Sequence, residues 1–326
     1  MRQTVLHKNW RSLMRVLSLF FGCVGLLGVT ALAHPISVQA AEGNCQPKLL
    51  AHVPLRNDAG FLSSPVSIDG HSASMIIDTG SEGSLISPSG AEAFGLQLDP
   101  AINTVMQGTG GGQKVVPNVI VRSLQIGAAR SGMFSIAVGS LPGKPPVQPP
   151  IEGLIGGDVL THYDVEFNVA EGWMNLWAPT PAANAACGGP QGWNAIYRAL
   201  PMQFDGRRVS IAVVLNGHTL KALVDSGARS RIVAQSVVAR LGVSEQTLAA
   251  DPGGLTNGVD GRQQVYHWHQ FKTLQYGLEE EKNPVLTVAP LHDVADIQLG
   301  SDWFAAHRVW SSYQTGKLYV MPARKR

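Results

Sequence analysis

The sequence is poor in charge, in cysteine and in the motifs of several common site chemistries. Only 15% of its 326 residues are Asp, Glu, Lys or Arg, against 44% that are hydrophobic. Residues 1–40 hold four of the 25 basic residues (Arg2, Lys8, Arg11 and Arg15) and no acidic one, so the remainder carries 21 Lys and Arg against 23 Asp and Glu. A chain that close to neutrality offers nothing that suggests nucleic acid as a partner. No G-x-S-x-G occurs, which removes the nucleophile elbow of serine hydrolases. The cluster Gly108-Thr109-Gly110-Gly111-Gly112 lacks the sixth-position glycine of G-x-G-x-x-G, so it does not support a dinucleotide loop. His267-Trp268-His269 could place two imidazoles on one strand face, but no third ligand is evident, and an ordinary exposed strand is the reading taken. No metal or other cofactor is expected. Of the three cysteines, neither Cys45 nor Cys187 has a catalytic pattern nearby, and Cys23 lies in an apolar segment.

That apolar segment, residues 16–32, follows a basic start and precedes Val38-Gln39-Ala40. The pattern is that of a secretory signal peptide occupying residues 1–40, with cleavage after Ala40 preferred and after Ala33 second. The alternative is an uncleaved anchor, because 17 residues nearly span a bilayer. Export to a periplasmic or extracellular space makes the remaining pair, Cys45 and Cys187, candidates for a disulfide; two separate buried thiols are the alternative.

What the sequence does contain is a repeat. Met75 to Ser87 reads M-I-I-D-T-G-S-E-G-S-L-I-S, and Ala222 to Ala234 reads A-L-V-D-S-G-A-R-S-R-I-V-A, at an offset of 147. At the same offset Val66-Ser67-Ile68-Asp69-Gly70-His71 aligns with Val213-Val214-Leu215-Asn216-Gly217-His218, and Phe94-Gly95 with Leu241-Gly242. The chain is therefore an internal duplication, and the residue it duplicates is a carboxylate. Thirty-six Gly and 20 Pro, with few long helical patterns, favour many short strands, hence an all-β fold. Asp69-Gly70 signals a turn between strand-like stretches, and residues 89–96 read as a short helix opening on Ser89 and closing near Gly95. β-type runs on both sides of 108–112 read as a hairpin with a glycine tip, with Gly258-Val259-Asp260-Gly261 in the corresponding place of the second half. A second repeated block is apolar-Gly-x-Asp, ending at Asp158 and again at Asp302, each followed by a strand and a glycine-marked hairpin at Gly172 and Gly316. The resulting layout is 41–177 for one lobe, 178–192 for a linker rich in Ala, Pro and Gly, and 193–326 for the second lobe.

Apolar-apolar-Asp-[Thr/Ser]-Gly twice, with the second blocks and the glycine-rich hairpin, resembles the aspartic proteases, more the retroviral type than the pepsin type. The likeness covers nearly all of residues 49–321. It implies two β-barrel lobes fused in one chain, a cleft between them, and a polypeptide substrate cleaved without cofactor by a chain acting as a monomer. It further implies that Asp78 and Asp225 form the catalytic pair, supported by Thr79, Gly80, Ser81, Ser226 and Gly227. Gly108, Thr109, Gly110, Gly111 and Gly112 would be a flap, and Asp158 and Asp302 structural. Two carboxylates about 3 Å apart share one proton and so supply both a base and an acid for amide hydrolysis. Two departures stand out. Ser81 follows the first triplet where Ala228 follows the second, and the first flap lacks the tyrosine of pepsins. The Ser81 hydroxyl is expected to hydrogen bond to Asp78, leaving the charge on Asp78 and the proton on Asp225. A catalytically silent peptide-binding module on the same fold is the competing reading.

Overall fold

The computed structural model describes residues 47–108, 111–141, 143–181, 189–190, 192–257 and 263–323. The signal segment, Cys45, Cys187, Thr109 and Gly110 lie outside these residues. So do the residues of the second hairpin tip, 258–262.

The fold is all-β, built as two curled sheets of ten strands each and a third sheet of six. Its local logic is visible at the two turns the repeat shares. Asp69 and Gly70 have φ of +48° and +87°, and Asn216 and Gly217 have +50° and +82°. Asp-Gly and Asn-Gly accept that left-handed pair at little cost, so each closes a tight hairpin. The first joins strands Phe61–Ile68 and His71–Ile77, the second Arg208–Leu215 and His218–Val224. The hairpins' second strands end in the runs Met75-Ile76-Ile77 and Leu223-Val224. Both runs are buried on either face because each strand is central in its sheet. On their other edges lie parallel partners from the second repeated block, Ile151–Ile155 beside the first and Ile297–Leu299 beside the second. Strand order is the same in both ten-stranded sheets.

The short helix in the first half spans Pro88–Ala93, and its N-cap is Ser87, not Ser89: the Ser87 hydroxyl accepts from the Gly90 N–H at 3.0 Å. Pro88 explains the shift, since a fixed φ and a missing N–H suit the first helical position. Gly95 just beyond it has φ of +62°.

The six-stranded sheet joins the halves. Asp164–Asn168 from the first half pairs antiparallel with His307–Ser312 from the second, and each brings two flanking strands. Short helices Gly157–Leu160 and Ser301–Ala306 lead from the second blocks toward these strands, and Phe167 meets Phe304 edge-on in the core with ring centroids 4.9 Å apart. One continuous apolar core runs from Ala51 to Val320 through both halves.

Candidate active site

Asp78 and Asp225 each stand one residue past the end of a central strand. Their N–H groups still complete the parallel ladder, donating to Ile155 O at 2.9 Å and Leu299 O at 3.1 Å. The chain then turns sharply, and the turns face each other across the lobes. The Thr79 hydroxyl donates to Val224 O at 2.6 Å and accepts from Ser226 N at 3.0 Å. The Ser226 hydroxyl does the reciprocal, donating to Ile77 O at 2.6 Å and accepting from Thr79 N at 3.0 Å. Both side chains are buried, so these four bonds lock the two turns in one register. Gly80 and Gly227 then let the carboxyls meet. A Cβ on Gly80 would fall 2.3 Å from Asp225 Cγ, and one on Gly227 would fall 2.3 Å from Asp78 Cγ, so no larger residue fits at either position. Each glycine N–H also donates to the carboxylate of its own turn at 3.0 Å.

The electrostatics separate the pair. Burial pushes Asp78 up to about 6, opposed by the Gly80 N–H, by a hydrogen bond with Asp225, by the Ser81 N–H and by the positive charge of Arg208. Asp225 is pushed well above the ordinary carboxyl range, first by burial and then by the charge of Asp78, against the N–H groups of Ala228 and Gly227, with Asp293 adding a further push upward. Asp225 therefore holds the proton more tightly. The cause differs from the one expected, because the Ser81 hydroxyl donates to Gly83 O at 2.8 Å and not to Asp78. Turn geometry aims that side chain along its own loop.

Asp158 accepts from Ser84 N at 2.9 Å and the Ser84 hydroxyl at 2.6 Å, so it fastens the loop that follows the first triplet. Asp302 does the equivalent with an ion pair, since position 231, the counterpart of Ser84, is arginine: Arg231 Nε lies 2.9 Å from Asp302 Oδ2. His267 and His269 share a strand face, but both turn to Asp251, the first to its carbonyl at 3.4 Å and the second to its carboxylate at 2.6 Å. Among the described residues no cluster of His, Cys, Asp and Glu is arranged to hold a metal ion.

The cleft above the pair has a volume of about 1250 Å³ and is roofed from both lobes. The hairpin Gln97–Gln107 with Gln113–Val121 lines it from the first, and the hairpin Gly253–Asn257 with Gln263–Gln270 from the second. At the first tip, Gly111 N donates to Gly108 O at 3.0 Å and Gly108 N to Gly112 O at 3.2 Å. Gly111 has φ of +79° and packs on His292 of the opposite lobe.

Sequence reading missed one charged group. Arg208 lines the cleft and is held by Asp293 through two bonds of 2.9 and 3.1 Å, by Asp205, and by Glu82 of the other lobe at 3.5 Å. A signal was present in the repeat: its counterpart 147 residues earlier is Phe61, and Glu82 corresponds to Arg229, so the duplication changed sign and polarity here.

Fused β lobes that meet at paired D-[T/S]-G turns, each turn bracing the other, define the acid-protease class of structure. The aspartyl protease family profile matches residues 64–159 and again 211–303, in its retropepsin-like form. The chain belongs to the aspartyl protease family. No curated protein matches it at a significant level.

Proposed function

We propose that the chain is an aspartic endopeptidase, exported from the cell, that hydrolyses peptide bonds in polypeptides with a water molecule activated by Asp78 and Asp225. The observation that carries this reading is the approach of the two carboxyls across the braced turns, with Asp225 the weaker acid. Asp78, ionised, takes a proton from the water as its oxygen attacks the carbonyl carbon of the bound peptide. Asp225 gives its proton to the carbonyl oxygen. Collapse of the resulting diol returns that proton to Asp225, while Asp78 passes the other to the departing nitrogen as the C–N bond breaks. The two hairpins close over an extended segment and exclude water.

Digestion of an unfolded protein, followed by mass spectrometry, tests this. Asp78→Asn and Asp225→Asn should each lower turnover at least about a thousandfold, since each removes a group that moves a proton in every cycle. Retention of wild-type hydrolysis by either variant would end the two-carboxylate mechanism. The intact, non-reduced mass of the protein recovered after export should place its first residue at Ala41 and show Cys45 and Cys187 protected from alkylation as one disulfide. Two alkylated thiols would exclude that bridge.

A further inference from the structure

The duplication allows the two walls of the cleft to be compared position by position, because strand register fixes which residues correspond. Leu85 and Ile232 occupy equivalent places, each seven residues beyond its aspartate. Leu85 pairs with Ala137 on one side and Leu154 on the other. Ile232 pairs with Thr287 and Gln298 in the same two relations. In the turns themselves, Gly83 corresponds to Ser230. All these residues line the cleft.

The walls are thus chemically different. In the first lobe Leu85, Ala137 and Leu154 form one apolar cluster with Phe61, and Gly83 adds no side chain. In the second lobe the hydroxyls of Ser230 and Thr287 sit 3.1 Å apart, beside Gln298. Gln298 is only 2% exposed, and it borders the cleft. Its carboxamide carries both a donor and an acceptor, which a ligand in the cleft can meet.

We propose that the two walls select different side chains on either side of the cleaved bond: an apolar one against Leu154 and Ala137, and an uncharged amide or hydroxyl side chain (Gln, Asn, Ser or Thr) against Gln298, Thr287 and Ser230. This rests on the peptidase reading of the site. An amide offers Gln298 both a donor and an acceptor, which its own carboxamide matches. A fully apolar side chain offers these polar groups no hydrogen bond, and a charged one loses its hydration without an opposite charge among Gln298, Thr287 and Ser230.

Digestion of a peptide library randomised on both sides of the cleaved bond tests it, using the full chain, Gln298→Leu and Leu154→Gln. Gln298→Leu copies the residue of the other wall at similar volume, so the fold is kept. The wild type should cut between an apolar residue and one of the four polar residues. Gln298→Leu should lower turnover of those peptides about tenfold and raise that of peptides apolar on both sides. Leu154→Gln should favour polar residues on both sides. A wild-type profile with the same preference on both sides, or a Gln298→Leu profile that superimposes on wild type, overturns the proposal and leaves the peptidase reading intact. Should the wild type cut nothing, the peptidase reading falls, and retention of the same library on immobilised protein decides instead. Apolar–polar peptides held by wild type and lost by Gln298→Leu support the two-wall assignment; equal retention overturns it.

Discussion

Asp78 and Asp225 occupy matching turns and both accept backbone N–H groups, so hydrogen bonds alone do not decide which holds the proton. Asp225 accepts two backbone N–H groups, from Gly227 and Ala228, each at 3.0 Å, which favours its charged form. Charge and burial outweigh them. Asp225 is 6% exposed, faces the charge of Asp78 and feels Asp293, while Asp78 has Arg208 as a nearby cation. Both groups bind protons more tightly folded than unfolded. Their stabilising contribution is therefore complete below about pH 4 and is lost as the pH climbs through 6, where Asp78 titrates, and on toward the higher value of Asp225. Asp225→Asn removes the part of this dependence that Asp225 carries. Its thermal midpoint should match wild type near pH 4 and exceed it progressively by pH 7, by the equivalent of about 1–3 kcal/mol. A gap that stays constant across that range would show that the pair carries no such strain. Activity should follow a bell whose acid limb reports the pair near pH 6.

At the scale of elements, a hairpin from each lobe lines the cleft over the pair. Gly111 sits in a left-handed conformation at the first tip, and a Cβ there would lie 2.8 Å from His292 Cγ. Gly111→Val is strained on both counts, because a β-branched residue disfavours that φ and has no space. Turnover should drop about tenfold or more as closure fails, while the melting temperature stays within a degree or two, since the tip contributes nothing to the core. Unchanged turnover would make the hairpin an ordinary surface turn. How much of this was legible varies by element. The turns at Asp69-Gly70 and Asn216-Gly217 were readable because their chemistry is local, and the paired carboxylates because the duplication repeats them. The direction of the Ser81 hydroxyl was not, since it depends on the path of one loop. The strand after the first of the second blocks, Asp164–Asn168, was expected, but its burial was not legible: all five residues of D-V-E-F-N are buried, two acids among them. Its acids find their partners outside the strand, and Asp164 Oδ1 keeps none among the described residues. Glu166 receives Asn175, Trp177, Trp193 and Arg308, and Asp164 receives Thr180 and Ser312. The guanidinium of Arg308 lies about midway between the rings of Trp173 and Trp193, with centroids 5.0 and 5.1 Å away. Nothing in local periodicity announces a contact across 142 positions.

For the whole molecule, the question is whether one chain is a complete site. Retroviral-type enzymes, which the sequence resembles, assemble theirs from two identical chains, each giving one aspartate. Here the strand ladder Asp164–Asn168 with His307–Ser312 ties both halves into a single sheet, and the four turn-to-turn bonds run between residues of the same chain. The cation–carboxylate contact of Arg208 with Glu82 also crosses the cleft within that chain. If this is the working form, each molecule contains both carboxyls it needs and takes neither from a neighbour. Mixing Asp78→Asn with Asp225→Asn then offers a decisive measurement. In sites shared between chains, a mixed pair would hold one aspartate from each variant and would recover hydrolysis, the more so as total concentration rises. In sites internal to a chain, every molecule in the mixture still lacks one carboxyl. The mixture should be as inactive as either variant alone at every concentration, and wild-type turnover per molecule should not change on dilution. Recovery of hydrolysis in the mixture would mean that the halves exchange between chains and that the internal pair is not the one at work.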